Sequence, residues 1–444
     1  MPILSHYSFP RAILHIDGDS FFASCEVAKN PAFKGKPVVT GKERGIASSM
    51  SYEAKARGVK RAMRLSEIRR ICPDVIILPS DYETYSLYSR RMYEIVRRYT
   101  EAVEEYSIDE CFADLTGMRR PNNMSYEDMA IKIQHSLVTE LGMTFSVGLS
   151  VNKVIAKLAS KWRKPDGLTI IPGKDIHLYL AKLPVGKIWG IGPNTSAYIN
   201  KILKPLLHGG EGFVTALDFA IKDADWVKEH FTKPIQEIHA ELNGNFVYEL
   251  TLGEKHDYAS VSKTRTFTPP SMEKEFIFSQ LSKNIENACI KLRRHDLFTR
   301  RVAFFLKTQE FRYHGLEIKL VQGVSAPQEI ISAIRDKFNI VYRPKVLYRA
   351  TGIALMDLSH ENAETIDLFG NSERIEKVHK ILKAMDDIDI RYGKHTVFLG
   401  SSLKAVNEPA HQNGRGDHSE RSKNILKGES ARKRIGLPFI GKVN

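Results

Sequence analysis

Short apolar runs and helix-like stretches alternate along the chain between residues 12 and 171. Turn residues bound the apolar runs, which favours strands; these runs cover residues 12–16, 37–41, 46–51, 75–78, 111–115, 145–149 and 168–171. Other stretches carry apolar side chains at helical spacing; they cover residues 20–28, 52–58, 65–71, 85–99 and 152–162, the last capped by Ser150 or Asn152. The alternation predicts a mixed α and β fold.

The pattern changes at later points of the chain. From about residue 172 to residue 245 the sequence is short-segmented, helix-like and interrupted by glycines. Residues 258–358 alternate two strand and helix patterns, which predicts a compact α+β domain. The sequence after about residue 413 is polar and weakly periodic, which favours disorder. A chain of 444 residues exceeds what one core usually organises, so we expect three or four domains.

Composition indicates the kind of partner. The net charge of +14 and the pI of about 9.4 favour a polyanion, nucleic acid rather than an anionic membrane. Residues 258–358 hold 17 Lys and Arg against 9 Asp and Glu, which is more than half of the excess. No apolar run could span a bilayer and no secretory signal is visible, so no membrane association is expected. The cysteines lack metal spacing and predict reduced thiols in a cytoplasmic protein; they are Cys25, Cys72, Cys111 and Cys289.

Three carboxylates adjoin two of the predicted strands. Asp17 follows the first strand, and Asp109 and Glu110 precede the strand at residues 111–115. If these strands pair, the carboxylates converge and repel one another, so they need a cation. Oxygen ligands suit Mg²⁺, and many enzymes that transfer phosphoryl groups bind two such ions in the active site. The alternative is two unrelated strand ends with surface acids.

Both stretches are specific enough to indicate a family. Residues 17–26 read Asp-Gly-Asp-Ser-Phe-Phe-Ala-Ser-Cys-Glu, and residues 106–117 read Tyr-Ser-Ile-Asp-Glu-Cys-Phe-Ala-Asp-Leu-Thr-Gly. They resemble the palm motifs of the Y-family (translesion) DNA polymerases, in particular the bacterial DinB and UmuC branches. The resemblance extends from about residue 12 to residue 358.

The resemblance implies an α+β, multi-domain fold shaped as a right hand. We expect the palm at residues 10–20 and 82–171 and small fingers at residues 21–81. A helix-hairpin-helix thumb at residues 172–245 would precede a linker at residues 246–257. An α/β little finger at residues 258–358 and a C-terminal extension at residues 359–444 would follow.

The resemblance also implies the activity and its metal site. It predicts a template-dependent, error-prone polymerase that joins dNTPs to the 3′-hydroxyl of primer-template DNA opposite damaged bases. Asp17, Asp109, Glu110 and the carbonyl of Gly18 would bind two Mg²⁺ ions, and no protein nucleophile is required. Asp19 and Asp114 are interpreted as structural. No motif of a proofreading exonuclease is visible.

Further residues match the family's nucleotide contacts. Phe22 would be the steric gate against a ribose 2′-hydroxyl, and its neighbour Phe21 is a further candidate for nucleotide binding. Two adjacent aromatic residues cannot share one helix face, so one of the two rings is expected in the core and the other in the cleft. Lys55 stands where the family has Arg, which keeps the charge but loses the bidentate geometry. The remaining candidates bind the triphosphate or roof the base pair; they are Tyr52, Lys164, Ile46, Ser48 and Ser49.

Contacts to DNA and to other proteins follow from the same resemblance. The candidates for DNA phosphates lie in the thumb hairpin and the little finger; they are Gly190, Gly192, Lys263, Arg265, Arg293, Arg294, Arg300 and Arg301. Leu368 and Phe369 resemble the anchors of a sliding-clamp peptide, in which Thr365 replaces the usual Gln. An amphipathic linker is the alternative for that segment. The UmuC-like extension favours a UmuD-like accessory subunit.

Other interpretations remain open from the sequence. Lys153, Lys157 and Lys161 form a helical stripe that is either a solvated face or a ligand contact. A catalytically silent DNA-binding scaffold would keep the basic surface, although all three carboxylates are present. A cyclase-like palm enzyme would need neither the thumb hairpin nor the basic distal domain. The lesions bypassed, the choice between DinB and UmuC, and the preference for Mg²⁺ or Mn²⁺ stay open.

Overall fold

A computed structural model describes residues 4–5, 7–206, 212–253, 258–360, 372–392 and 395–408. The described residues divide into two compact units, one within residues 4–41 and 46–253 and the other within residues 42–45 and 258–408. Within the described ranges, no helix is both long enough and apolar enough to cross a membrane. Leu368, Phe369 and the tail after residue 413 lie outside the described residues.

A five-stranded sheet forms the centre of the first unit. Its order is β5-β6-β1-β7-β8, antiparallel except between β7 and β8. The strands are β1 (Ile13–Gly18), β5 (Val103–Ser107), β6 (Glu110–Asp114), β7 (Phe145–Ser150) and β8 (Leu168–Ile170). The expected pairing of the first strand with residues 111–115 is confirmed, because β1 and β6 are antiparallel neighbours.

Helices and a small second sheet surround this centre. The small sheet has the order β3-β2-β4, with β2 (Val38–Thr40), β3 (Ser49–Met50) and β4 (Ile76–Leu78). The first six helices are α1 (Phe21–Lys29), α2 (Tyr52–Ala56), α3 (Leu65–Ile71), α4 (Tyr82–Arg97), α5 (Arg119–Asn122) and α6 (Tyr126–Leu141). The next six are α7 (Lys153–Trp162), α8 (Ile176–Leu180), α9 (Pro193–Leu203), α10 (Ala216–Ala220), α11 (Ala224–His230) and α12 (Lys233–Leu242).

A buried polar joint connects α7 to α12. The side chain of Asn152 caps α7 by accepting a hydrogen bond from the Ile155 N–H at 3.0 Å, which confirms one of the two predicted caps. Its amide also donates to the carbonyl oxygen of Glu241 at 2.7 Å. The fully buried Glu241 carboxylate accepts hydrogen bonds from the backbone N–H groups of Val154, Val247 and Tyr248. These bonds fix the end of α12 and the following residues to the start of α7.

The first part of the predicted linker belongs to the first unit. Phe246 and Leu250 pack against a buried cluster on the sheet that contains Ile13 and Phe112. The Arg11 guanidinium lies 4.1 Å from the Phe246 ring centroid, a favourable cation–π contact.

The second unit is a four-stranded antiparallel sheet of order β11-β10-β12-β9 with two helices on one face. Its elements are β9 (Ser260–Ser271), α13 (Lys274–Arg294), β10 (Phe298–Thr308), β11 (Tyr313–Val324), α14 (Pro327–Val341) and β12 (Tyr348–Ser359). The order β-α-β-β-α-β contains the two strand and helix patterns predicted for residues 258–358. The apolar core lies between the helices and the sheet, where Phe304, Ile334 and Ile353 are buried.

The extension after β12 packs onto α13. It forms α15 (Ser372–Tyr392) and α16 (Leu403–Asn407). Asp386 of α15 makes a bidentate ion pair with Arg293, both distances being 2.7 Å. Ser402, just before α16, donates a hydrogen bond to the buried carboxylate of Glu286. Sequence patterns did not predict this packing.

Candidate active site

The strand register places the predicted metal ligands at neighbouring backbone positions. Asp17 lies directly opposite Glu110 in the β1–β6 pair. The Gly18 N–H donates to the backbone carbonyl of Asp109 at 2.8 Å, which fixes the turn before β6. The Asp109 carboxylate accepts a hydrogen bond from the Ser107 hydroxyl at 2.6 Å. The three carboxylates therefore sit on neighbouring positions at one end of the sheet.

A buried histidine makes the first contact to the Glu110 carboxylate. His15 is fully buried, and its Nε2 lies 3.1 Å from Glu110 Oε2. Burial lowers the pKa of His15 to about 4 despite the opposing effect of Glu110, so the ring is neutral at pH 7. Because a carboxylate only accepts, the ring proton belongs on Nε2, and Nδ1 accepts from the Ser160 hydroxyl at 2.7 Å.

A buried lysine forms the second contact to Glu110. The Lys157 ammonium is ion-paired with the Glu110 carboxylate, and the side chain of Lys157 is only 5% exposed. Burial alone would raise the pKa of Glu110, but the hydrogen bonds from His15 and Lys157 lower it to about 2. The same ammonium lies 4.4 Å from the ring centroid of Tyr106 and 5.0 Å from that of Trp189. Lys157 is thus fixed by aromatic rings as well as by charge.

The lysine stripe on α7 is largely buried against carboxylates. Lys153 is also buried, and its ammonium pairs with Glu104 at 2.6 Å. Burial lowers the pKa of Lys161, and the neighbouring Lys157 lowers it further. Since Lys153 and Lys157 are buried against carboxylates, the interpretation of the stripe as a solvated face is wrong for these two.

Asp17 faces a lysine from another part of the unit. The ammonium of Lys164 is ion-paired with Asp17 and lies 3.6 Å from Asp19. Burial raises the pKa of Asp17 above its usual value, Lys164 opposes the shift, and Glu110 and Asp109 add to it. The repulsion among the carboxylates, expected from the sequence, is therefore present in the folded chain.

Asp19 is the hydrogen-bonding centre beside the metal ligands. It is almost fully buried, and it accepts from the Ser146 hydroxyl at 2.8 Å and from the Asp166 N–H at 2.8 Å. The Tyr52 hydroxyl reaches the same carboxylate at 3.4 Å. These contacts agree with a structural role, since they tie β1 to three other segments.

The donor set suits a hard divalent cation. In the part of the chain that the structure describes, no three His, Cys, Asp or Glu side chains are grouped closely enough to hold one metal ion. Asp17 and Glu110 instead have lysine ammonium groups against them. Carboxylates that need positive charge, and that offer only oxygen, fit Mg²⁺ or a similar ion. One such ion, when bound, would supply charge compensation to phosphate oxygens.

The predicted nucleotide contacts surround Asp19 and Ser20. The Lys55 ammonium donates to the Ser20 hydroxyl at 2.7 Å and lies 3.9 Å from the Tyr52 ring centroid. Burial lowers the pKa of Lys55, and the nearby Lys164 lowers it further. The Ser49 hydroxyl donates to the Ser20 carbonyl at 3.2 Å. Lys55 and Lys164 therefore form a basic pair beside the carboxylates.

The adjacent phenylalanines differ in burial, and the burial of Phe21 argues against its predicted contact with the nucleotide. Phe21 is 3% exposed and belongs to the main core, whereas Phe22 is half-buried. The Phe22 ring stacks on Tyr85 with centroids 4.5 Å apart and an angle of 12°. The Tyr85 hydroxyl in turn donates to Glu26 at 2.8 Å. The orientation of Phe22 is thus fixed by a ring that is itself anchored.

The predicted roof is a set of small hydroxyl residues. Ser48 Oγ is 2.9 Å from Thr40 Oγ1 and 3.2 Å from Ser80 Oγ. Ile46 is 36% exposed beside them. The side chains of this surface are small, and their hydroxyl groups bond to one another.

The thumb hairpin needs one of its two glycines for its shape. Gly190 has φ +88°, and a Cβ there would lie 2.5 Å from Ile238 Cδ1. Gly192 has ordinary φ, and no atom lies within 4 Å of its Cβ position. It is the N-cap of α9, whose first residue is Pro193. The backbone at Gly192 is therefore accessible from the surface.

The basic residues of the second unit lie on different sides of its sheet. Lys263 and Arg265 oppose the buried Ile353 and Thr351, so they belong to the helix-covered face. Arg301 opposes Lys319 on the other, open face, and Arg294 and Arg300 are exposed. Arg293 is committed to Asp386 and to the Ser325 carbonyl, so we no longer propose it as a phosphate contact.

Comparison with known proteins identifies the family to which this chain belongs. A family model described as "impB/mucB/samB family" matches residues 16–161, and the model of its C-terminal domain matches residues 259–368. DNA polymerase IV of Lactococcus lactis subsp. cremoris strain MG1363 is 34% identical over 365 residues, covering 81% of this chain and 97% of that protein. The chain belongs to the Y family of DNA polymerases.

Other Y-family relatives agree. DNA polymerase IV 1 of Bacillus subtilis strain 168 is 30% identical over 400 residues, covering 89% of this chain and 94% of that protein. Among solved structures, the "Y-family DNA polymerase chimera Dbh-Dpo4(243-245)-Dbh" matches with a TM-score of 0.64 and 23% identity, over 79% of this chain and 100% of that chain. The predicted family and the α+β multi-domain fold are confirmed.

Two residues of this Y-family site were missed by sequence reasoning. His15 was counted only as a member of an apolar run, and Lys157 only as one of three stripe residues. The signal for both was their spacing: His15 lies two residues before Asp17 on the same strand face, and Lys157 lies four residues after Lys153 on one helix face.

Proposed function

We propose that Asp17, Asp109, Glu110 and the carbonyl of Gly18 bind two Mg²⁺ ions and make this chain a nucleotidyl transferase. The chain is a DNA-directed DNA polymerase of the translesion class, in a family that uses divalent metal. The observation that carries the assignment of ligands is the register that sets Asp17 opposite Glu110. The metal ions would lower the pKa of the primer 3′-hydroxyl and stabilise the leaving pyrophosphate.

The chain's own groups supply position and charge. His15 and Lys157 hold the Glu110 carboxylate in one orientation, which fixes its oxygen atoms before substrate arrives. Lys55, Lys164 and the Tyr52 hydroxyl would contact the triphosphate of the incoming dNTP. On binding, the phosphates would replace the carboxylates as partners of Lys164. The small roof of Ser48 and Ser49 would tolerate distorted bases.

Primer extension with Mg²⁺ on undamaged and abasic templates tests the site. The wild type should extend both, and the Asp109→Ala/Glu110→Ala variant should extend neither while still binding DNA. Asp114→Asn is the matched control, because Asp114 lies at the opposite end of β6 and pairs with Arg11. If the wild type binds DNA but does not extend the primer, the result would instead support a catalytically silent DNA-binding scaffold.

The steric gate has a separate test. We propose that the ring of Phe22 excludes ribonucleotides, since it is half-buried and held by Tyr85. Phe22→Leu should lower the preference for dNTPs over rNTPs by about 10-fold or more. Equal preference in the wild type and the variant would contradict the gate. The core neighbour Phe21→Leu serves as the control for lost packing.

DNA and protein partners complete the proposal. Primer-template DNA would contact Gly190, Gly192, the exposed Arg294 and Arg300, and the partly exposed Arg301, with Lys263 and Arg265 less accessible. Leu368 and Phe369, outside the described residues, would anchor the chain to a sliding clamp, and a UmuD-like subunit would bind the extension. Loss of clamp binding in Leu368→Ala/Phe369→Ala, measured by gel filtration with purified clamp, is the expected result. Unchanged binding would leave these two residues as part of a linker.

A further inference from the structure

The hairpin that joins β10 to β11 exposes aromatic rings. Phe311 and Tyr313 are each 60% exposed, and the Phe305 ring lies 5.3 Å from that of Tyr313. Adjacent exposed aromatic residues are uncommon on a protein surface unless they bind something. We call Phe311, Tyr313, Lys307 and Arg349 the hairpin patch.

The hairpin patch lies on the open face of the second unit's sheet. Lys307 is opposite Tyr313 in the β10–β11 pair, and directly opposed residues share a face. Lys307 also alternates with the buried Leu306, whose side chain enters the core under the helices. Arg349 lies at a register shift of β12, next to Ala350, which pairs with Lys307, and its guanidinium contacts the Phe311 ring. No helix of the described residues covers this end of the sheet's open face, as the exposure of Tyr313 shows.

Two cations flank the rings of the hairpin patch. The Arg349 guanidinium lies 4.2 Å from the Phe311 ring centroid. The Lys307 ammonium lies 4.9 Å from the Phe311 centroid and 4.6 Å from the Tyr313 centroid. With Arg312 beside them and Glu310 as the acid of this turn, the surface carries an excess of positive charge. It suits a partner that has both flat rings and negative charge.

The turn does not explain the ring of Phe311. Phe311 has φ +67°, a left-handed backbone conformation that bulky residues rarely adopt and that glycine adopts at no cost. Packing does not explain the ring either, because most of its surface is exposed. A residue kept in a strained conformation without packing is a candidate for a binding function.

We propose that the hairpin patch is a stacking site for unpaired bases of single-stranded DNA. Every base has a π-face, so stacking on Phe311 and Tyr313 would accept any sequence, and Lys307 and Arg349 would neutralise the adjoining phosphates. The proposal rests on the proposed polymerase function, which supplies a template with an unpaired overhang. A protein partner fits less well, because the patch offers few apolar side chains and a surplus of cations.

Phe311→Gly is the decisive variant. Glycine removes the ring and relieves the strained φ, so the variant should fold at least as well as the wild type. Binding of a fluorescein-labelled 12-nucleotide oligo-dT to the full chain should weaken by about 5- to 100-fold, the range for loss of one base stack. Binding of a blunt duplex of equal length should not change. Phe311→Trp, which keeps a stacking ring, should restore binding of oligo-dT.

Salt dependence separates stacking from charge. Phe311→Gly should weaken binding of oligo-dT without changing the slope of log K against log salt, whereas Arg349→Met should reduce that slope by about 0.7. Ile340→Ala is the matched control, because Ile340 is 65% exposed in the same unit but lies on α14.

Three outcomes overturn the proposal. The first is equal affinity of oligo-dT for Phe311→Gly and for the wild type. The second is an equal loss of affinity for oligo-dT and for duplex in Phe311→Gly. The third is a loss of oligo-dT affinity in Ile340→Ala as large as that in Phe311→Gly. Primer extension by the wild type is measured in parallel. If the wild type does not extend primers, the polymerase function fails, whatever the variants bind; if it extends while Phe311→Gly binds oligo-dT normally, only the stacking site fails.

Discussion

The two main sheets of this chain differ in where they place their polar groups. In the first unit, His15, Lys153, Lys157 and Asp19 are buried between the sheet and its surroundings, each with a hydrogen-bonding partner. In the second unit, the layer between sheet and helices is mainly apolar, and Arg294 and Arg300 are exposed.

The difference reflects what each sheet has to do. A carboxylate that orients a metal ion must keep its direction, and buried partners with few alternative rotamers provide this. A surface that follows a DNA backbone needs charge without a fixed geometry, and exposed arginines on long side chains provide it at little cost in stability. Substitutions of the buried polar groups should therefore affect rate and stability in the first unit, whereas substitutions of the exposed arginines should affect DNA affinity in the second.

The largest effect is expected for Lys157→Met. Removal of the ammonium leaves Glu110 without its strongest partner, so primer extension at limiting Mg²⁺ should fall by about 10- to 100-fold. The Mg²⁺ concentration for half-maximal extension should rise. Lys153→Met is the control, because Lys153 has the same burial on the same helix but pairs with Glu104. An equal shift in both variants would show that lost packing, and not the contact to Glu110, is responsible.

The next effect compares two adjacent arginines of α13. Arg293→Met should lower the free energy of unfolding by about 2 kcal/mol, because it breaks the charged hydrogen bonds to Asp386. Arg294→Met should change it by less than about 0.5 kcal/mol, because Arg294 is exposed. Urea unfolding of the full chain measures both. Equal losses of unfolding free energy in the two variants would mean that the packing of α15 does not depend on the ion pair between Arg293 and Asp386.

A smaller effect is expected for Ser160→Ala. The substitution removes the hydroxyl that bonds His15 Nδ1, at a cost of about 1 kcal/mol in the free energy of unfolding. The half-maximal Mg²⁺ concentration should rise less than in Lys157→Met, because Glu110 keeps both direct partners. A shift as large as that of Lys157→Met would mean that the orientation of His15, and not the ammonium, controls Glu110.

The smallest effect is expected for Arg300→Met. It should reduce the slope of log K against log salt for duplex DNA by about 0.9 and leave thermal unfolding unchanged. Arg335→Met, an exposed arginine of α14 under the other side of the sheet, should leave the slope as it is. An equal reduction of the salt slope in both variants would indicate that DNA binds both sides of the second unit's sheet.

The same contrast explains what the sequence could predict. The strands of β1 and β6 and the helix α7 were predictable because each has a strong local pattern and a clear boundary, such as the cap at Asn152. The convergence of Asp17 with Glu110 was predictable once those strands were assumed to pair.

Partners across the fold were not predictable. His15 looks like one more residue of a buried strand, and its contact with Glu110 depends on the register of a strand about ninety residues away. Arg293 and Arg294 are identical in sequence terms, and only the packing of α15 separates them. Lys263 and Arg265 were predicted from their charge and from the resemblance of their segment to a little finger domain, and neither gives the face of an edge strand on which they lie.

The packing of α15 and α16 on α13 has a consequence for where a stop codon could be tolerated. A chain ending at Ser359 would complete the last strand of the second sheet but would remove the hydroxyl of Ser402 and the N–H of Leu399 that bond to Glu286. It would also remove Asp386, the ion-pair partner of the Arg293 guanidinium. A premature stop between residues 359 and 408 should therefore yield a polypeptide that cells degrade, and expression boundaries are better set beyond Glu408.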